Sequence, residues 1–534
     1  MFSPRSAYPR ACRRGIVLDR DVPCMSGSSN RTHSIPSFFH PSRMSFRPAT
    51  GQQDSVPPTA RHSRVPGSWG RRPRGNLRSM VDSAGTRVLP LELDRRYPVI
   101  VRGQGVWVED ADGRRYLDAM SGGSMAATLG HGRTDIIEAA RAQADRLSYV
   151  HNERLTNPAQ ERLARELVEV APEGFTRARF VASGSDANEM AVQLARSYHV
   201  ERGEADRWQV ISPAQAYHGP TMETLALTGR PGLQGPFGPY LPHHLHIPPS
   251  TWRFDPTGQA ALDALDEALE EAGPGTVSAF FCEPISAAAL PAYTPPPRFW
   301  EGLAERRERH GFLVLFDEVV TGVGRTGRWF AGAGTECAPD IIATAKGLGA
   351  GYVAIGALLV REHVYEAVAR GSRHFTLGHT WDGSPLACAV GLAVLDAMRS
   401  EDLVERVRDR GARLLKELDA ALGGIPMVRE VRGHGYLLGV SFVDPRDSDS
   451  LLPRELRVGA RIDEAAFERG LIVLSTQPTR DGYAGDQTLF APPFTTTDDE
   501  LAEMVSRFAD TVRHVAEGVD RELAAHPATT GAER

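Results

Sequence analysis

Residues 312–351, FLVLFDEVVTGVGRTGRWFAGAGTECAPDIIATAKGLGAG, constrain this chain more than any other stretch. FLVLFDE is an apolar run of strand length that ends in two carboxylates, Asp317 and Glu318. The stretch closes with Lys346 in the glycine-rich context TAKGLGAG. Composition sharpens the reading of that lysine. The 534-residue sequence holds 61 Lys plus Arg, and only Lys346 and Lys416 are lysines. A guanidinium stays protonated, so a lysine kept by a chain that otherwise uses arginine marks a place where an amine able to lose its proton matters. Lys416 lies in the amphipathic GARLLKELDAAL and reads as a solvated helix position.

The same strand-length pattern recurs upstream. ARFVAS, WQVISP, TVSAFFCEP and FLVLFDE are short apolar runs separated by helix-length segments such as 297–310. Strand then helix, repeated, predicts an α/β fold with a mostly parallel sheet covered on both faces. Functional residues of such sheets lie just beyond the carboxyl ends of strands. Ser183 to Ser185, Tyr217, Glu283 and Asp317 each follow an apolar run. Helical patterns are expected at 134–147 and 158–170, and strands around the turn Asp110-Ala111-Asp112-Gly113 within 88–117. From 385 on, helices near 385–399, 403–422, 455–469 and 498–523 alternate with strands near 436–443, 471–474 and 488–491. This predicts a smaller α+β domain, completed by residues before about 130. The expected division is 88–130 and 385–523 for the small domain and 131–384 for the large one.

Residues 1–79 are rich in Arg, Ser and Pro, hold only Asp19, Asp21 and Asp54 as acids, and lack periodicity. They read as a disordered or non-native extension, with Met80 as an alternative start; a transit peptide fits the composition loosely. A net charge of −6 gives no electrostatic case for nucleic acid or an anionic membrane, and no run of apolar residues is long enough to span a bilayer. Five cysteines without CxxC spacing favour a reducing, cytoplasmic setting over a disulfide frame or a zinc site. His243, His244 and His246 lie between prolines with no carboxylate or cysteine in step, and read as loop packing rather than metal ligands.

FDEVVTGVGRTG followed by PDIIATAKGLGAG resembles the class III aminotransferases, fold-type-I enzymes that use pyridoxal 5'-phosphate (PLP). The resemblance runs from about residue 105 to about 495. It implies that Lys346 is the Schiff-base lysine and mobile proton carrier, that Asp317 partners the pyridine nitrogen, and that Val319 and Tyr217 sandwich the ring, with His218 beside them. Ser183-Gly184-Ser185-Asp186 at a helix start reads, on its residues alone, either as an anion site or as a capping box. The resemblance favours phosphate binding through Gly184 and Ser185. It places Glu283 near the phenolic oxygen, although Ile285-Ser286 stand where many members have a hydrogen-bonding Gln. It implies that Thr380 is offered to the phosphate by a neighbouring subunit, hence a homodimer with a shared site. Met125 and Arg480 are the expected substrate-side residues, Arg480 because Leu474 occupies the family's usual arginine position. The implied reaction is transamination between an ω-amino acid or amine and a 2-oxo acid, pyruvate or 2-oxoglutarate. Aminomutase and decarboxylase are alternatives within the family.

A rival class comes from GVGRTG, residues 322–327, which is a literal GxGxxG after a strand. A dinucleotide fingerprint needs that loop to open a helix at the start of a βαβ unit. Here two acids and three further residues intervene, and RWFAGAG does not read as a helix start.

Overall fold

The apolar runs assemble into a seven-stranded sheet in the computed structural model, which describes residues 80–81, 85–480 and 482–525. In chain order its strands are β1 (Phe175–Val181), β2 (Gln209–Pro213), β3 (Leu245–Ile247), β4 (Val277–Cys282), β5 (Leu313–Glu318), β6 (Ile341–Thr344) and β7 (Gly356–Arg361). Their spatial order is β1-β7-β6-β5-β4-β2-β3. The pairs β6/β5, β5/β4, β4/β2 and β2/β3 are parallel, while β7 runs antiparallel to both β6 and β1. The sheet is thus mostly parallel, as expected, with one reversed strand. Every residue of β4, β5 and β6 is buried. That is why these strands read as continuous apolar runs rather than alternating ones.

Helices cover the sheet. One face packs against Gly184–Glu201 and Glu362–Arg370, where Ala187, Met190, Ala191 and Leu194 meet Leu315, Ala343 and Leu358. The opposite face joins the main core, to which Pro297–His310 contributes Phe299, Trp300 and Leu303. The helix Pro385–Ser400 packs on Thr134–Arg146 and Pro158–Glu169.

Two four-stranded sheets and a two-stranded antiparallel pair, Met80–Val81 with Tyr97–Pro98, complete the sheet structure of the described residues. One four-stranded sheet is antiparallel, in the order Val428–His434, Leu437–Phe442, Gln487–Phe490, Leu474–Thr476. In the other, Leu471–Ile472 pairs in parallel with Arg115–Asp118, which continues antiparallel through Trp107–Asp110 to Ile100–Gln104. The segment expected as one strand at 471–474 therefore breaks at Val473 and feeds both sheets. Residues 88–93, expected within a strand region, lie in turns and coil, and Leu89 and Leu91 are fully exposed. His246 corrects the loop reading of the histidines: it lies in β3, with Nδ1 3.0 Å from Ser212 Oγ. Residues 1–79, with their expected extension, fall outside the described residues. Among those described, no helix is long and apolar enough to cross a membrane, and no cluster of His, Cys, Asp or Glu could hold a metal ion.

Candidate active site

A cavity of about 330 Å³ opens at the carboxyl ends of the parallel strands and is lined by Ser183, Gly184, Ser185, Tyr217, His218, Glu283, Asp317, Val319 and Lys346, among others. Each of these lies at or just beyond the end of β1, β2, β4, β5 or β6. These nine residues, separated by up to 163 positions in sequence, thus meet because parallel strands deliver their ends to one edge.

Asp317 and Glu318 end β5 and point to opposite sides, as successive residues of a strand must. Asp317 faces the cavity and is 4 % exposed. Its Oδ2 accepts hydrogen bonds from Asn188 Nδ2 at 2.7 Å and pairs with His218 Nδ1 at 2.8 Å; its Oδ1 accepts from the Val319 amide at 2.9 Å. Asn188 also donates to the His218 carbonyl at 2.8 Å, so one amide ties the carboxylate to the loop after β2. Glu318 is fully buried on the other side, where its carboxyl accepts from the amides of Ala331 (2.6 Å) and Gly332 (2.9 Å) and from Thr321 Oγ1 (3.0 Å). Burial pushes Glu318 up to about 7.

Lys346 follows β6 at the start of a short 3-10 turn, with φ +27°. Val323 and Ala350 nearby also adopt positive φ, at +52° and +46°. Non-glycine residues in that region are held there by their surroundings, and such strain concentrates at functional sites. Burial lowers the proton affinity of the Lys346 amine; Asp317 and Glu283 oppose this, and Arg325 adds to it.

Glu283, just past β4, accepts from the Ala287 amide at 3.0 Å, and burial pushes its carboxyl up to about 7. Ser286 places its hydroxyl 3.4 Å from Glu283 Oε2. Ser183 caps the helix Gly184–Glu201, accepting from the Asp186 amide at 3.2 Å, while its hydroxyl donates to Asp186 Oδ2 at 2.8 Å. The capping half of the alternative therefore holds. It leaves Gly184 and Ser185 in the cavity wall at a helix N-terminus, where free amides and the macrodipole favour an anion. A Cβ on Gly184 would sit 2.8 Å from both methyls of Val319, so the wall has no room for one. Tyr217 is 39 % exposed despite its aromatic ring.

Three expected residues lie elsewhere. Met125 is buried in an adjoining apolar cluster with Met120, Ile285 and Leu437, and its neighbour Ala126 reaches the cavity instead. Arg480 is exposed and outside the cavity lining; a Cβ built on Gly232 would lie 3.9 Å from its Nε. Thr380 is exposed, outside the lining, with its carbonyl accepting from Tyr149 Oη at 3.0 Å. Asn188 was missed; its place one helical turn after Gly184 is the only signal that could have pointed to it. The GVGRTG loop opens no α-helix: a 3-10 turn, Ala331–Gly334, follows it, which removes the dinucleotide reading.

The chain matches the family described as aminotransferase class-III over residues 92–512. It is 34% identical over 437 residues to the uncharacterized aminotransferase YodT of Bacillus subtilis, covering 81% of this chain and 98% of that one. A mitochondrial gamma-aminobutyrate transaminase of Oryza sativa subsp. japonica is 31% identical, with 79% and 82% covered. Among solved structures, an (S)-enantioselective omega-transaminase from Thermomicrobium roseum superposes with a TM-score of 0.75 at 35% identity, over 81% of this chain and 97% of that one. A PLP-bound amine transaminase from an uncultivated Pseudomonas species gives 0.73 at 32%, with 82% and 99% covered.

Fold and site thus define a fold-type-I, PLP-dependent transferase. The chain belongs to the class III aminotransferases. The cavity fits the cofactor: its size is that of small-molecule pockets, and a helix N-terminus, a carboxylate and an amine share its wall.

Proposed function

We propose that the chain catalyses transamination between an ω-amino acid or amine and a 2-oxo acid, with Lys346 as the residue that bears PLP. The observation that carries this reading is that Lys346 and Asp317 line one cavity, with the amine's proton affinity lowered by burial. The choice of ω-amino acid or amine rests on relatives and neighbours described as gamma-aminobutyrate, omega- and amine transaminases.

In this reading Gly184 and Ser185 hold the phosphate at the helix N-terminus, and Tyr217 and Val319 bound the two ring faces. Asp317 holds the proton on the ring nitrogen, itself kept in place by Asn188 and His218. Glu283 stands by the phenolic oxygen. When bound, PLP supplies an aldehyde for the amino group and a protonated ring that withdraws electrons from the substrate Cα. The work left to Lys346 is to move a proton, which its lowered basicity favours. Arg480 would meet a substrate carboxylate and Met125 would shape the entrance from the layer behind Ala126. Thr380 would serve the site of a second copy, which fits its exposed position among the exposed Tyr149, Leu377 and Trp381.

Lys346→Ala tests the assignment. The variant is expected to bind PLP without a borohydride-fixable bond and to lose turnover by roughly three orders of magnitude or more. Near-normal turnover on a panel of amines and 2-oxo acids would overturn it.

A further inference from the structure

Arg325 is the largest fully buried side chain among the described residues, and the functional reading leaves it unused. Its guanidinium bonds only to neutral oxygens: Nη1 to the carbonyls of Tyr436 (3.1 Å) and Pro492 (2.7 Å), Nη2 to Ser121 Oγ (2.9 Å). Nε has no partner, and the Phe494 ring lies 4.7 Å away. Among the described residues no carboxylate forms an ion pair with it. Asp118 is the acid whose charge acts on it. It is buried, its oxygens accept from the amides of Met120 and Gly122, and burial raises its own affinity for a proton. Arg325 keeps its charge even so: burial lowers it only to about 9.

The clasped turn packs against Gly347, the residue after Lys346. Arg325 belongs to the turn in which Val323 holds φ +52°, and a Cβ on Gly347 would lie 3.2 Å from Val323 Cβ. Fixing that turn to three distant segments therefore fixes the floor on which Lys346 and Gly347 sit. An un-neutralised cation in a low-dielectric floor also acts on any amine above it, because screening there is weak.

We propose that Arg325 is a positioning residue of this site: its buried guanidinium clasps the turn packed against Gly347 and sets its positive charge against the Lys346 amine. The proposal rests on Lys346 being the working amine. The groups that face that amine are Asp317 and Glu283, which favour its charged form, and Arg325, which opposes it. His218 and Glu318 act on those acids, and Asp118 and Tyr436 on Arg325.

The chain's two lysines make the test direct. Full-length cofactor-free protein labelled at lysine Cε gives two resonances, with Lys416 assigned through Lys416→Arg. In wild type, Lys346 is expected to titrate below Lys416. In Arg325→Met and Arg325→Gln, which keep bulk but remove the charge, the Lys346 midpoint is expected to rise by roughly half a unit or more, and the acid limb of the kcat profile to move with it. A purely structural residue would alter melting temperature without moving that midpoint. An unchanged midpoint in either folded variant overturns the proposal. Should neither variant fold, a wild-type Lys346 midpoint at or above that of Lys416 overturns it as well. The titration does not depend on turnover, so it separates a failure here from a failure of the transaminase reading, which Lys346→Ala decides.

Discussion

Glu318 sits one residue from Asp317 and does different work, because strand alternation turns the two carboxyls to opposite sides of β5. Asp317 meets side-chain donors at the cavity, whereas Glu318 staples the Ala331–Gly334 turn. Its carboxyl, raised from an ordinary 4.5 to about 7, binds its proton more tightly in the folded chain than in the unfolded one. The sign follows: this contribution to stability is full below about 4.5 and is lost as pH rises through about 7. Glu318→Gln is expected to flatten the fall of melting temperature across that window, while lowering stability by roughly 1–3 kcal/mol from the weakened staple. An unchanged slope in thermal scans at several pH values would contradict it. At the same scale, Asn188→Ala removes the donor that orients Asp317, and a drop in kcat of about ten-fold or more with little change in KM is expected. Lys346 and Asp317 were legible because each is a chemistry-bearing residue set in an apolar or glycine-rich run. Asn188 and Arg325 were not, since a buried polar side chain in a mixed segment owes its burial to partners far away in sequence, here Asp317 and Pro492.

At the scale of elements, the N-terminus of Gly184–Glu201 is where sequence and structure agree most closely. Ser183 with Asp186 offers a cap as one of two readings, and the cap forms. Helices 297–310 and 403–422 were legible to the residue because their apolar periodicity runs uninterrupted between clear breakers. The reversal of β7 was not legible, since a buried strand reads the same in either direction. The split at Val473 was hidden because one short apolar run serves two sheets. Crowding at the helix N-terminus gives a prediction. A methyl on Gly184 would meet Val319 at 2.8 Å and Ala345 at 3.4 Å. Gly184→Ala is therefore expected to weaken PLP binding by about ten-fold or more, with the accompanying fall in melting temperature limited by alanine's higher helix propensity. Equal PLP affinities by fluorescence titration would show that this turn does not hold the cofactor.

For the whole molecule, the question is how the exposed Thr380 could serve a cavity it does not line. Its segment carries apolar surface, with Leu377 46 % and Trp381 54 % exposed, and Trp381 rests edge-on against Tyr149 at 5.6 Å between ring centroids. Contiguous exposed aromatics of this kind mark contact surfaces, and a two-fold pairing would give each chain's cavity the other's Thr380. Complementation tests this arrangement. Thr380→Ala alone is expected to retain PLP poorly, and Lys346→Ala alone to be inactive. In a mixed dimer one site carries both substitutions, while the other combines Lys346 of one chain with Thr380 of its partner and is intact. Random reassociation of equal amounts makes about half the dimers mixed, so at limiting PLP the mixture should recover roughly a quarter of wild-type activity. If each site drew both residues from its own chain, no intact site could arise on mixing, and activity would stay at the mean of the two separate variants.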